Sequence, residues 1–454
     1  NIFMANVIKL RKGLDINLKG KASDKVATLG VGGLYALVPD DFTGVKPKVV
    51  VKEGDHVKVG DALFVNKNCP EVQFASPVSG EVTAVLRGDR RKLLRVVVKA
   101  DGEQQYASFG SCDLSSLDGE GVKAKLLEAG LFGFIFQLPY GVSTTPTTTP
   151  KAIFVSAFRD MPLSADFEVE LRGEETNFQT GLSALSKIAK TYLGISAQQT
   201  NAALTSAKDV EVTVFDGPCP AANVDVQINH LSPVNKGETV WRVDPTFVLF
   251  IGRLFNTGRV DMTRTVALAG SEMADPSYVK TMYGAQLSSV VGSQLSSKNG
   301  VRLINGNPLT GVKTSLEDGF VGVRSSEVTA IPEGDNADEM LGWIMPRLDQ
   351  FSVSRSYFSW LFGKKKEYVL DARVKGGERH MIMSGEYDKV LPMDIYSEYL
   401  IKAIIAGDID KMEQLGIYEV APEDFALAEF VDSSKLELQH IVREGLDMLR
   451  KENA

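Results

Sequence analysis

Val51-Lys52-Glu53-Gly54-Asp55-His56-Val57-Lys58-Val59-Gly60-Asp61-Ala62-Leu63-Phe64-Val65 decides the reading of the N-terminal third. Glu53-Gly54-Asp55 and Gly60-Asp61 are turn signals, since glycine supplies backbone angles other residues avoid and aspartate bonds its own backbone. An apolar strand over 48–51 precedes them and another over 62–65 follows. Further on, Ser76-Pro77 and Ser79-Gly80 turn the chain into strand 81–86, and 93–99 closes the unit with an apolar centre and polar ends. Short strands with turn chemistry at intervals of about 8–12 residues predict a small β-barrel or sandwich over residues 46–103.

The two halves, Glu-Gly-Asp-x-Val with Gly60 and Leu63, then Ser76-Pro77-x-Ser79-Gly80-x-Val82, resemble the biotinyl/lipoyl-like barrel-sandwich. Carrier members of that family place a modified lysine in a Met-Lys or Asp-Lys hairpin. Here the hairpin reads Asn66-Lys67-Asn68-Cys69-Pro70, so Lys67 is read as structural.

Outward from this unit, residues 114–130 predict a helix with Leu117, Val122, Leu126 and Leu127 broadly on one face and Gly130 as its stop. Phe132, Phe134 and Phe136 follow within a few residues, and the Thr/Pro-rich stretch 143–150 reads as a loop or linker. An unbroken apolar strand over 152–156, a helical pattern over 178–189 and a second apolar strand over 210–215 predict a Rossmann-like α/β unit. Its first strand runs into Ala157-Phe158-Arg159-Asp160-Met161-Pro162, whose bulky side chains would hold a pyrophosphate away from the backbone. The cluster Gly30, Gly32 and Gly33 follows a poor buried strand and reads as a turn. Strands over 264–268 and 279–283 suggest a β-grasp (SLBB-like) unit, and from Asp338 onward helices are expected to dominate, notably over 394–406 and 436–449. The fold class is therefore multidomain α/β. Its expected units are an N-terminal segment and barrel (4–103), a helix and linker (104–150), the Rossmann-like domain (151–258), the β-grasp-like domain (259–335) and a mainly helical C-terminal domain (336–454).

Bulk properties exclude several functions. The chain has 454 residues, 50 Lys+Arg against 58 Asp+Glu, and a net charge of −8, the opposite of a nucleic-acid footprint. The most apolar runs, 131–139 and 246–251, fall far short of the roughly 20 residues that span a bilayer. The start lacks signal-peptide features, and Asn1 to Phe3 read as an expression remnant ahead of a natural start at Met4. Cys69, Cys112 and Cys219 are too widely spaced for a zinc or iron–sulfur site, and His56, His230, His380 and His440 form no ligand pair. Glu423-Asp424 after Pro422 read as acidic residues in a first helical turn.

Strings along nearly the whole chain carry a closer resemblance. They are Lys12-Gly13-Leu14-Asp15, Phe215-Asp216-Gly217-Pro218, Gly342-Trp343 with Met345-Pro346, and Phe351-Ser352-Val353-Ser354-Arg355-Ser356. Glu386-Tyr387, Pro392-Met393-Asp394 and Ala406-Gly407-Asp408 complete them. By these strings the chain resembles the A-subunit family of the bacterial sodium-pumping (Na+-translocating) NADH:quinone reductase, related to complex I flavin subunits and their electron-transport relatives. Flavin-binding relatives carry a Gly-Arg-Gly-Gly-Ala-Gly-Phe loop that is missing here. Where cluster-bearing relatives have cysteines, this chain reads Phe430-Val431-Asp432-Ser433-Ser434-Lys435. The resemblance implies a chain without a flavin or iron–sulfur cluster of its own, peripheral on the cytoplasmic side of the bacterial inner membrane. Its partners would be the other subunits of the reductase, chiefly the membrane flavin-carrying one, and its isolated form would not be catalytic. Quinone is the implied ligand, and the matching residues are Phe42, Gly44, Phe132, Phe134 and Tyr140. The competing reading places these aromatics in the core or at an interface with other subunits, the chain being a docking platform with no ligand. Lys364-Lys365-Lys366 after Phe358, Trp360, Leu361 and Phe362 is either a solvated loop or a contact for anionic lipid or an acidic partner.

Overall fold

The computed structural model describes residues 6–110, 113–297, 299–335, 342–363 and 365–453, the side chain of Trp343 excepted. The proposed remnant and Met4, Cys112, Asp338 and Lys364 lie outside the described residues.

The barrel is two small sheets on one buried cluster. One runs Leu34–Leu37, Leu93–Ala100, Gly80–Arg87, His56–Val57, and the other Pro47–Val49, Ala62–Asn66, Cys69–Ala75. Phe64, Val72, Phe74, Val82 and Val96 are all fully buried between them. Register shifts between Val82 and Ala84 and between Ala62 and Phe64 curve the strands, as bulges do. Gly80 cannot be replaced without strain: its φ is +159°, and a Cβ there would lie 1.9 Å from the Lys99 carbonyl. Lys67 sits in the hairpin joining Ala62–Asn66 to Cys69–Ala75, its N–H bonded to the Lys46 carbonyl at 2.7 Å.

The largest sheet has seven strands in the order Asn6–Lys9, Glu211–Asp216, Thr191–Ser196, Ile153–Ser156, Val240–Val243, Phe136–Leu138, Val142–Ser143. The first five pair in parallel and the last two form an antiparallel hairpin on that edge. Ile153–Ser156 is buried along its length, as a parallel strand covered on both faces must be. Residues 136–143, expected as an aromatic stretch and the start of a linker, thus belong to this sheet. The helix predicted over 114–130 spans Gly119–Glu128, capped by the Asp118 carboxylate accepting from the Gly121 N–H, after a short 3-10 turn at Leu114–Ser116. Glu175–Ile188 buries Phe178, Gly181, Leu182, Ala184 and Leu185 on one face. It crosses Pro245–Thr257 where two glycines meet: a Cβ on Gly252 would come within 1.7 Å of the Asn177 carbonyl, and one on Gly181 within 2.1 Å of that of Val248.

A six-stranded sheet follows, Val312–Thr314, Val301–Asn305, Glu327–Pro332, Thr263–Ala269, Ser277–Met282, Val26–Thr28. Its exposed last strand comes from the N-terminal segment, which therefore serves the seven-stranded sheet, this one and the barrel in turn. The expectation that helices dominate from Asp338 needs correcting. The described residues between 342 and 386 contain only two short 3-10 turns, and regular helices begin at Tyr387–Val390. Pro346, Gly363, Gly376, Gly377 and Gly385 interrupt any helical run there. Beyond it, Ser397–Ala406, Ile409–Leu415, Ala426–Val431 and Leu438–Glu452 pack around Leu400, Ile401, Phe425, Val442 and Leu446.

Candidate functional site

After Asn6–Lys9, which ends up at the sheet's edge, the chain re-enters the parallel set at Ile153–Ser156, adds its next two strands on one side and then returns to place Val240–Val243 on the other. Strand ends diverge at such a switch point, leaving a crevice beyond their carboxyl ends. A cavity of about 500 Å³ opens there. After Ser156 the chain runs along its wall through Phe158, Arg159 and Asp160. After Val243 it enters Pro245–Thr257, whose first turn is held by the Asp244 carboxylate accepting from the Thr246 N–H. The six-stranded sheet and the helical tail supply the opposite walls through Arg264, Tyr283, Arg324 and Glu423.

One wall is aromatic. Phe134 lies parallel to Phe247 (centroids 5.2 Å, planes 7° apart) and edge-on to Tyr283 at 5.7 Å, with Phe136, Phe158 and Phe250 extending the surface. The residues matched from sequence divide around it. Phe42 and Phe134, about 90 positions apart, meet at 5.1 Å, but Phe42 lies behind the wall, against Phe74 at 4.4 Å. Of the five, Phe134 alone lines the cavity. Phe132 is buried edge-on against Trp241 at 5.6 Å. Gly44 (φ +85°) packs against Val142, where a Cβ would approach to 2.9 Å. Tyr140 (φ +82°) accepts from Arg443 at its carbonyl, 2.8 Å, and from the Asn453 amide at its hydroxyl oxygen, 3.2 Å, while its neighbour Gly141 reaches the cavity.

The polar wall escaped the sequence reading. Burial pushes the Asp41 carboxyl up to about 6, even though the Val323 N–H (3.0 Å) and the Tyr283 hydroxyl (3.2 Å) donate to it. Arg264 is 3% exposed. Its Nη1 donates to the carbonyls of Gly322 and Val323 at 3.0 and 3.3 Å, and its Nε has no partner. The Arg324 guanidinium lies 4.9 Å over the Phe136 ring and donates to Glu423 at 3.1 Å and Thr43 at 3.3 Å. Deeper, buried Arg242 pairs with Asp225 and, at 3.0 Å, with Glu423. Burial raises Asp225 to about 6; Glu423, although burial opposes it, is drawn down to about 2 by Arg242 and Arg324. Glu423 and Asp424 therefore do more than complement a helix dipole. They tie the tail to the seven-stranded sheet, Asp424 accepting from Asn223 at 2.6 Å. Such a cavity can clamp a planar apolar ring on its aromatic face and offer guanidinium donors to carbonyl oxygens at the ring's ends. Among the described residues no group of His, Cys, Asp and Glu could hold a metal ion, and burial raises the Cys219 thiol far above its ordinary range.

Family models match three parts of the chain: the "NqrA N-terminal barrel-sandwich hybrid domain" at 8–101, the "NqrA second alpha/beta domain" at 117–260 and the "NQRA C-terminal domain" at 265–315. Full-length similarity decides the matter. The A-subunit of the Na(+)-translocating NADH-quinone reductase of Yersinia pestis (strain Angola) is 34% identical over 452 residues, covering 98% of this chain and all of that protein. The chain belongs to the NqrA family, the A-subunits of Na(+)-translocating NADH-quinone reductases. The corresponding proteins of Haemophilus influenzae (strain PittGG) and Neisseria meningitidis (serogroup A strain Z2491) match at 34% and 33% identity with the same coverage. In this member of the NqrA family, the α/β segment runs from the Gly119–Glu128 helix to the end of Pro245–Thr257, so it takes in the hairpin at 136–143. Among solved structures, an NAD+-reducing [NiFe]-hydrogenase in the air-oxidised state gives a TM-score of 0.34 at 13% identity, covering 51% of this chain and 52% of that one. No helix among the described residues is long and apolar enough to cross a membrane.

Proposed function

We propose that this chain works as a peripheral subunit of the Na+-translocating NADH:quinone reductase, on the cytoplasmic side of the membrane. In this reading its central cavity receives the quinone head group as electrons pass to quinone and Na+ is exported. The observation that carries the reading is an aromatic wall of Phe134, Phe136, Phe158 and Phe250, backed by Phe42, facing Arg264 and Arg324 across a cavity of about 500 Å³. The ring stacks against Phe134, Phe136 and Phe158, and its carbonyl oxygens accept from the guanidinium groups of Arg264 and Arg324. Electrons come from cofactors on other subunits, so the chain's own part is binding and orientation.

Half-buried Phe158 faces the cavity and is the safest position to truncate. A stacking face is worth about 1 kcal/mol, so Phe158→Ala is expected to raise the Michaelis constant for quinone about fivefold in the assembled enzyme, with NADH-to-flavin transfer unchanged. An unaltered quinone constant in a properly assembled Phe158→Ala and Phe134→Leu pair would favour a second reading. That reading is a docking platform without a ligand, and the exposed apolar ridge of Phe358, Trp360, Leu361 and Phe362 speaks for it.

A further inference from the structure

The five-residue turn Phe358–Phe362 is packed the wrong way round for a chain that ends its life in water. Ser359 faces inward with no exposure, its carbonyl accepting from the Tyr368 hydroxyl at 3.4 Å, and its own hydroxyl has no partner. Phe358, Trp360, Leu361 and Phe362 face outward, exposed by 57%, 44%, 63% and 56%. Burying the serine and exposing four large apolar groups is the reverse of what solvent alone would select. A second apolar segment adjoins them: the Phe358 N–H donates to the Pro346 carbonyl at 3.2 Å, and Lys366 donates to that of Leu348. This brings the exposed Ile344, Met345 and Leu348 alongside. The ridge is pinned to the body of the molecule, because Phe351 beneath it packs edge-on to Tyr368 at 5.4 Å and against Phe430 at 5.9 Å.

Charge says what covers the ridge. Residues 342–366 hold Arg347, Arg355, Lys364, Lys365 and Lys366 against Asp349, a net of +4, so the rest of a chain of net −8 carries −12. Two of these cations lie over the ridge's own rings, Arg355 at 5.5 Å from Trp360 and Lys366 at 4.4 Å from Phe362. We infer that this ridge is where an acidic, apolar surface of another subunit of the same reductase docks, an inference that rests on the function proposed above. Aromatic, methionine and arginine side chains gathered in one patch are the composition of protein–protein interface cores. A lipid surface would instead select a long amphipathic helix, and a single 3-10 turn offers none. A second copy docking through the same ridge would bring like charge to like charge.

The test adds the full-length tagged chain to detergent-solubilised reductase prepared without it, and follows co-elution and recovery of quinone reductase activity. Leu361→Asp with Phe362→Glu is expected to weaken rejoining at least tenfold without lowering the melting temperature, since both side chains are exposed. Lys365→Glu, at an exposed lysine beside the ridge, is expected to weaken it too, with wild-type binding falling as salt rises. Variants that rejoin as wild type does would overturn the inference. So would variants that rejoin normally but lose binding to vesicles of phosphatidylcholine with a quarter phosphatidylglycerol, which would assign the ridge to lipid. A wild-type chain that fails to rejoin would sink the proposed function together with the inference; wild type and variants rejoining alike sinks the inference alone.

Discussion

Asp41 and Arg264 face the same cavity from different directions, and neither belongs to any motif. Asp41 follows a second aspartate in a loop that reads as a turn, and Arg264 opens a strand otherwise made up largely of apolar residues. What makes them functional candidates is burial, which is a property of the fold. Phe134 was legible because three phenylalanines in so short a run demand a site or a core. Phe132 answered the same signal, and Phe42 was named from its own loop by the resemblance; both turned out to be core. Asp41 yields a prediction with a definite sign. Its carboxyl titrates near 3.8 when unfolded and at about 6 when folded, so the native state holds a proton the unfolded state has released. Stability from this group is present below about pH 4 and is lost as pH rises through 6. Asp41→Asn cannot ionise, so its melting temperature relative to wild type should climb between pH 4.5 and pH 7.5. A difference that stays flat over that range would contradict the burial argument. Arg242 gives the opposite case: Arg242→Ala would strand the fully buried Asp225 carboxylate, and breaking a buried pair from one side costs about 3–5 kcal/mol, read as a fall in denaturant midpoint.

Elements long enough to show a period, or marked by turn signals or an unbroken apolar run, could be read from sequence, and short ones with neither could not. The helices Glu175–Ile188 and Leu438–Glu452 and the strands Leu93–Ala100 and Thr263–Ala269 lie within a few residues of the expected spans. Asn6–Lys9, Val26–Thr28 and the hairpin strands Phe136–Leu138 and Val142–Ser143 are only 2–4 residues long, too short for any repeat. Those strands nevertheless lace the units together, and the hairpin carries the aromatic wall to the cavity. Contacts between elements are equally hidden. By helix propensity alone Gly252→Ala should stabilise Pro245–Thr257 by about 1 kcal/mol. The new methyl would sit 1.7 Å from the Asn177 carbonyl, and forcing two packed helices apart costs about 1–3 kcal/mol or more. A net loss of stability is expected by thermal melting; a gain would show that the helices do not cross at these glycines.

At the scale of the molecule, the family was legible from strings spread along the whole chain, whereas the cavity existed only once four parts of the fold had closed around it. Turn chemistry foretold the barrel because turns are local, and the cavity is a long-range product with no local trace. A chain that binds and positions quinone, with its redox groups on other subunits, has a simple signature once purified. It is expected to be colourless and to show no NADH turnover, since hydride chemistry needs a cofactor and the glycine-rich flavin loop of relatives is missing from its sequence; a near-stoichiometric flavin band would count against it. The most direct test of the central claim is the structure of the assembled reductase with a quinone-site inhibitor bound. The account requires the inhibitor's ring to lie against Phe134, Phe136 or Phe158 within hydrogen-bond reach of Arg264 or Arg324. An inhibitor bound wholly within other subunits, with this cavity closed or filled by protein, would contradict it.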